Sequence, residues 1–384
     1  MNVLLLTTCT PDDRKPVCFS RELARAGATV GIAGDRHVGE AFYSRYLSRR
    51  HLCTHPAASL DGFISDLNRH IERYRYDVVL PMNDYTTVGL CLRRGALAGG
   101  VATVLPDYET LDITRDKQRT LAVASELGLD VPKSIAPSDE DELLKAGDSA
   151  GYPCVLKLRR GAGAVGCRVV RSREELVAAW RRPRRRSDLV FDHDHLLVQE
   201  FVAGPTHDAC VLFCRGEPRA VLTQKRLWTH PSIGGVGTIV ESTREPQLAD
   251  LACRLFRALR WHGPAQAEFK VDPESGRVCL IEVNGRFWGT VGAAVQAGMN
   301  FPLLVSRMAL NGDVDPASDY SVGQRYRYPI PFGVLAIMDG TAKWQAARAF
   351  FGPSRRAASD LDWRDPMPVF AELIFIAKRL RNPS

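Results

Sequence analysis

The chain has 384 residues, 45% hydrophobic and 25% charged, with a formal charge of +7; this is apolar material for two or three cores and excludes an intrinsically disordered class. No apolar stretch is long enough to span a membrane, and MNVLLLTTCTPDDRK has neither a basic region before its short apolar run nor a small-residue cleavage pattern. A cytoplasmic protein is therefore expected.

NVLLLTT, TVGIAG and DVVLPMND read as strands, separated by the helical stretches CFSRELARAG and LDGFISDLNRHIERYR, so residues 1–112 are predicted to form a small parallel-sheet domain. No GxGxxG follows the first strand, which argues against a dinucleotide site there. Residues 115–151 read as a helix and a connection, with Lys117 near the helix start, where it either faces solvent or reaches a phosphate. YPCVLKLRRGAGAVGCRVV then carries Lys157 at the end of a strand and a turn through Gly161, Gly163 and Gly166, able to aim backbone N–H groups at phosphates. Residues 152–210 are predicted to be a small mobile subdomain whose turn closes as a lid.

RRPRRR at 181–186 has no interleaved aromatics and follows a helix that Ser172 and Glu175 can open as a capping box; it reads as a solvated loop, and no nucleic-acid partner is expected. FDHDH, with His193 and His195, has too few ligands in a suitable array for a structural metal site. LLVQEFVAG reads as an apolar strand running into a Gly/Pro bend, and its backbone edge can meet an adenine ring. QKRLWTHPSIGGVGT offers Lys225, Arg226, Trp228 and His230, a mix suited to a carboxylate and a flat or apolar group; Arg226 is either a carboxylate anchor or a surface charge. The ten cysteines form no CxxC pair, and Cys9, Cys154, Cys210 and Cys279 lie in apolar strand-like runs, so free thiols and no zinc are expected.

AEFKVDPESGRVCLIEVNGRFWG is the most informative stretch. DPESG supplies turn chemistry between two strand-like runs, and alternation puts Glu268, Glu282, Asn284 and Arg286 on one face of the resulting hairpin. Oxygen-only ligands suit a hard cation such as Mg²⁺, and an adjacent Arg suits phosphate oxygens. Trp288 and Gly289 follow directly and either wall the same pocket or, for the Trp, belong to the core. Residues 211–310 are expected to supply a second sheet, finished by PLLVSRMALNGD as an amphipathic helix ended by Asn and Gly. In the remaining 311–384, DWRDPMP is a turn-rich link and VFAELIFIAKRLR an amphipathic helix expected to pack on the body.

The order DK, then Lys with a glycine loop, then QEFVAG, then an acidic residue fourteen before the Glu of EVNGR resembles the ATP-grasp superfamily, and within it the carboxylate–amine ligases. The resemblance covers 113–310 strongly and 1–112 more loosely. It implies an α/β fold: an N-terminal pre-ATP-grasp, Rossmann-like domain over 1–112, an ATP-grasp domain over 113–310 with the lid at 152–210, and a C-terminal extension over 311–384. By position it implies that Lys117 and Lys157, with the turn at Gly163 and Gly166, contact ATP, and that Glu200, Phe201 and Val202 are the hinge at adenine. Glu268, Glu282 and Asn284 would be ligands of Mg²⁺ or Mn²⁺, and Arg286 with Lys157 would act at the transferred phosphate.

Two positions depart from the family. Ala164 stands where a hydroxyl residue is frequent, and the ribose-binding Glu is replaced by Thr206, with His207 and Asp208 beside it; any of these three can take the two hydroxyls, and His207 is carried among the nucleotide contacts. The activity implied joins a small-molecule carboxylate to a small-molecule amine through an acyl phosphate, releasing ADP and phosphate, with Arg226, Trp288 and Gly289 on the substrate side and a homodimer compatible with it. Such chemistry needs no protein nucleophile, and no convincing Ser-His-Asp or Cys-His set is found. The alternatives are a bicarbonate-using carboxylase or carbamoyl-phosphate-type enzyme, and a non-catalytic nucleotide-binding regulator, which the intact lysine and metal set opposes.

Overall fold

The computed structural model describes residues 1–8, 14–163, 165–230, 235–338, 343–353 and 357–381, the last seven as backbone only. Strands β1 (Asn2–Leu6), β2 (Thr29–Gly34), β3 (Arg49–Leu52) and β4 (Val78–Pro81) form a parallel sheet in the order β3-β2-β1-β4. Its crossovers run through α1 (Lys15–Arg25) and α2 (Leu60–Tyr74), and α3 (Asp84–Leu92) follows β4. β1 is apolar without alternation because both its faces are covered: Val3 and Leu5 pack with α1 residues such as Phe19, and Leu4 and Leu6 with Phe63 and Leu67 of α2. Asn83 caps α3 in a reciprocal box with Thr86.

Next come α4 (Tyr108–Arg115) and α5 (Lys117–Glu126), then β5 (Ser134–Ile135), α6 (Glu140–Ala150), β6 (Cys154–Arg160), β7 (Arg168–Val170), α7 (Arg173–Trp180) and β8 (Asp192–Glu200). β5, β8, β6 and β7 pair antiparallel in that order, and α6 and α7 cover one face around Leu143 and Leu176.

The largest sheet, β13-β12-β9-β10-β11-β14-β15, draws on β9 (Thr206–Cys214), β10 (Glu217–His230), β11 (Val236–Thr243), β12 (Gly263–Val271), β13 (Val278–Asn284), β14 (Arg325–Arg327) and β15 (Ala357–Ser359). It is antiparallel up to β14, which β15 joins in parallel. Helix α8 (Pro246–Ala258) packs its Leu248, Leu255 and Phe256 on one face; α9 (Val291–Gln296) and α10 (Phe301–Asn311) join the core shared with the parallel sheet. The expectation that 211–310 completes this sheet is corrected here, since β14 and β15 come from the tail. The tail's helices are α11 (Val334–Met338), α12 (Lys343–Phe351) and α13 (Met367–Arg381), and α13 lies against residues 40–43 and 329–333.

The nine described cysteines are free, with Cys154, Cys210 and Cys279 buried; Cys9 lies outside the described residues. Among the described residues, no helix is long and apolar enough to cross a membrane.

Candidate active site

The hairpin read from the sequence is β12 and β13. Gln266 pairs with Asn284 and Glu268 with Glu282, after which the register slips so that Phe269 opposes Leu280. Ile281 is the extra residue of this bulge, and it lines the same cavity as Glu282. Asn284 Nδ2 donates to Glu268 Oε1 at 2.9 Å and lies 3.4 Å from Gln266 Oε1. Beyond the strand end, Arg286 donates from Nη2 to Asn284 Oδ1 (3.0 Å), from Nη1 to the Phe287 carbonyl (2.9 Å) and from Nε to Asp84 Oδ2 (2.8 Å). Asp84 opens α3, so this bond joins the parallel sheet's helix to the hairpin.

The smaller antiparallel sheet faces this hairpin across a cavity of about 700 Å³. Lys157 of β6 reaches it with 6% exposure, as does Lys117 at the first turn of α5. Lys117 Nζ donates to the Gly161 carbonyl at 2.9 Å and lies 3.6 Å from Glu282 Oε2, so one ammonium links the glycine turn to the hairpin. Asp116, the cap of α5, fixes the approach: its Oδ1 accepts from Gln118 N and Arg119 N and from Arg159 Nε on β6. Gly163, on the cavity rim, and Gly166, behind it, hold φ of +66° and +71°, left-handed values that favour glycine.

Glu200, Phe201, Val202 and Thr206 line the cavity at the other end. The Glu200 carboxylate faces away from a pure ligand role: it accepts from Lys133 N (3.0 Å) and Arg277 Nη1 (2.7 Å) and so ties β8 to the loop before β13. The bend after it requires Gly204, where a Cβ would lie 2.1 Å from the Val271 carbonyl oxygen.

Three expected site residues are placed differently. Trp288 is fully buried, stacked edge-on to Phe301 at 4.8 Å between ring centroids, and is core rather than pocket wall; Gly289 does border the cavity. His207 points to the α8 side of its strand, where Nδ1 lies 2.8 Å from Glu245 Oε2, because its neighbours Thr206 and Asp208 alternate to the cavity side. Arg226 does reach the cavity wall, but its fork is already engaged: Nε and Nη2 donate to Asp208 at 3.0 and 2.6 Å, and Nη2 also meets Glu268 Oε1 at 2.7 Å. An anchor for a substrate carboxylate is therefore not its place; it holds Glu268.

Burial disfavours the charge on Glu268, but Arg226 outweighs it and keeps the carboxyl below its usual range. Asp208, deeper and fully buried, is pushed up by burial against the pull of Arg226. Burial lowers the Lys157 ammonium, while Glu282 opposes the shift. Asp84 is lowered because Arg286 overcomes its burial.

The reading by residue type took Asp208 as a ribose candidate where it lies beneath Arg226, and it missed Gln266, Ile281 and the contribution of Lys15, Asn83, Asp84 and Tyr85, the last four lining the cavity from the parallel sheet's end. Alternation from Glu268 could have found Gln266. Nothing local marks the other side of the cavity.

The oxygen donors Glu268, Glu282 and Asn284 fit a hard cation, with two carboxylates and one amide leaving further positions to phosphates and water. Among the described residues no group of three His, Cys, Asp or Glu side chains could hold a metal ion. Six cationic side chains and four carboxylates line the cavity among the described residues, a balance that favours a polyanion.

Two sheets clasping such a cavity, with Lys157 from one, the acidic hairpin from the other and Lys117 from α5 beside them, define an ATP-grasp fold. Residues 116–297 match the family model described as the carbamoyl-phosphate synthase L chain, ATP binding domain. The chain is 26% identical over 289 residues, 67% of its length, to the carbamoyl phosphate synthase large chain of Methanothermobacter thermautotrophicus, covering 27% of that protein. It is 29% identical over 182 residues, 45% of its length, to D-alanine–D-alanine ligase B of Pseudomonas putida, covering 54% of that protein. It thus spans about a quarter of one and about half of the other. A biotin carboxylase from Campylobacter jejuni, solved as a β,γ-ATP complex, matches with a TM-score of 0.67 over 84% of this chain and 74% of that one; at 16% identity the likeness is one of fold. Residues 116–297 and the fold are thus similar to those of ATP-grasp proteins.

Proposed function

We propose that the chain is an ATP-dependent, ADP-forming ligase that joins a small carboxylate to an amine. The observation that carries this reading is the convergence, around one cavity, of Lys117 and Lys157 from one side with Glu268, Glu282, Asn284 and Arg286 from the other. Residues 1–112 would be the pre-ATP-grasp, Rossmann-like domain, residues 152–210 the lid, and the bend at Glu200, Phe201 and Val202 the adenine contact. Ribose recognition would fall to Thr206 on the cavity side rather than to His207.

The chemistry follows from charge. A carboxylate oxygen attacks the γ-phosphorus of ATP; the new O–P bond forms as the bond to the β-phosphate oxygen breaks, and ADP leaves. Lys157 and Arg286 neutralise the equatorial oxygens and hold the reactants in line, and Asp84 keeps the Arg286 fork turned into the site. Magnesium, when bound by Glu268, Glu282 and Asn284, supplies neutralisation of the β- and γ-phosphates. The amine nitrogen then attacks the acyl carbon, the C–N bond forms, phosphate leaves, and the spare proton passes to phosphate or water.

A second reading takes bicarbonate as the carboxylate, and the likenesses to a carbamoyl phosphate synthase chain and to a biotin carboxylase favour it. One experiment separates the two. With a panel of carboxylic acids, ATP and magnesium, hydroxylamine in place of the amine should yield a hydroxamate with one ADP and one phosphate for each. Release of AMP would overturn the acyl-phosphate route, and ATP cleavage that needs bicarbonate and no other acid would select the second reading.

A further inference from the structure

Exposed apolar side chains collect in the tail. Single residues of this kind are ordinary on any protein surface, but an apolar face along a helix is not. A surface helix normally buries its apolar stripe and shows its charges to water. Helix α13 does the reverse. Met367, Phe370, Leu373 and Ile374 share its outward face at helical spacing and are 38 to 58% exposed, whereas Pro368 and Glu372, four residues apart, are buried. Just before the helix, Trp363 is 91% exposed. On α12 the inward residues are Ala346 and Phe350, and the outward stripe of Trp344, Arg348 and Phe351 carries a tryptophan that is 88% exposed. Both helices pack on residues 329–333, which makes them neighbours.

The charges are sorted in the same sense. The described carboxylates of the tail beyond β14 turn inward to arginines of α1 and its cap. Asp360 and Glu372 lie 4.0 and 3.7 Å from Arg14 Nε, Asp362 bonds Arg25, and Asp365 bonds Arg21 at 2.9 Å. Lys343, Arg348 and Arg364 are exposed instead. Among the described residues, then, the outward side of the tail offers apolar and aromatic groups with positive charge beside them.

Charge decides between occupants of this surface. A second copy docking by two-fold symmetry would set the patch against itself, cation toward cation. The surface of an anionic bilayer meets both halves of the pattern, since its headgroups take the cations and its acyl boundary takes the apolar face. Indole rings, apolar in body with one polar N–H, suit that boundary. We propose that the tail docks the protein on an anionic lipid bilayer, with the outward face of α13 lying in the interface and Lys343, Arg348 and Arg364 at the headgroups. The helix rests on the bilayer and does not cross it, in keeping with the lengths and polarity of the described helices. None of these residues lines the large cavity, so the docking does not rest on the ligase reading.

The test is co-sedimentation of the full chain with vesicles of phosphatidylcholine alone and with vesicles of phosphatidylcholine and phosphatidylglycerol in equal parts. Binding to the second should be tighter by about tenfold or more and should weaken as salt rises, because the headgroup attraction is screened. The double variant Phe370→Ser, Ile374→Ser should lower the partition coefficient by about tenfold or more, and Arg348→Gln by about fivefold, with ADP binding unchanged in both. Should the double variant lose ADP binding through misfolding, Phe370→Gln alone decides, with a several-fold loss expected. Equal binding to the two vesicles, or binding indifferent to Phe370 and Ile374, overturns the proposal. So does a chain that stays off both vesicles: a dimer split by the double variant would put a second copy on this face, and a monomer would leave the face to a protein partner.

Discussion

Glu268 is held from two directions before any ligand arrives. Arg226 meets Oε1 at 2.7 Å and Asn284 Nδ2 meets the same oxygen at 2.9 Å, while Arg226 is itself pinned by the fully buried Asp208, which also accepts from Gln224 at 2.8 Å. One guanidinium thus compensates two carboxylates and leaves Glu268 Oε2 outside both bonds. A planar fork can do this because its donors are fixed relative to one another; an ammonium is a single point. Arg226→Lys should therefore keep the charge and lose the geometry. If Glu268 is a metal ligand, the magnesium concentration for half-maximal ATP turnover should rise by about 10–100-fold, the usual cost of disturbing a group that orients a ligand. A magnesium titration that matches wild type would remove Arg226 from this role.

At the scale of elements, the hairpin was legible because both signals were local: DPESG marks a turn, and a period of two fixes the face. The bulge at Ile281 was not, since one extra residue in a strand leaves no compositional trace. His207 was misassigned for the converse reason, as a single step along β9 reverses its face and the sequence alone does not set the register. Trp288 was ambiguous in principle, because an indole after a metal-binding strand can wall a pocket or fill a core, and only the packing with Phe301 decides. Strands β14 and β15 escaped notice because three residues each carry no period, and β14 pairs with β11, far away in sequence, while β15 pairs only with β14.

The glycine turn belongs to the same scale. Gly161 holds Lys117 through its carbonyl, and a Cβ at Gly161 or Gly166 would meet Leu158 at 3.1 or 3.2 Å, whereas Gly163 has nothing within 4 Å of where a Cβ would stand, so the turn is packed at both ends and open at Gly163. The open part can close over phosphates without breaking packed contacts. ATP with magnesium should then slow amide hydrogen exchange at Gly163 and Gly166 by roughly tenfold, which is about 1.4 kcal/mol, and adenosine should not. Equal slowing by both would make the turn a fixed connection.

At the scale of the whole molecule, the tail is built into the body rather than appended to it. Asp365, fully buried, closes the chain back onto its first helix: it accepts from Arg21 Nε at 2.9 Å, from Ser44 Oγ at 2.8 Å and from Arg45 N at 2.8 Å, and its carbonyl accepts from Arg21 Nη2 at 3.1 Å. Its partners lie more than three hundred residues away in sequence, so the bond network forms only when the parallel sheet and the tail have docked. Asp365→Ala would leave the Arg21 guanidinium, with its side chain 8% exposed, without the carboxylate it hydrogen-bonds. Removing one partner of a buried pair costs about 3–5 kcal/mol, far more than the pair's net worth, because the remaining charge stays desolvated. The same change at Asp313, whose bidentate pair with Arg219 is 48% exposed on the acidic side, should cost at most about 1 kcal/mol. Urea unfolding of the two variants beside wild type measures the difference. An Asp365→Ala midpoint no lower than that of Asp313→Ala would mean that the tail docks without this network.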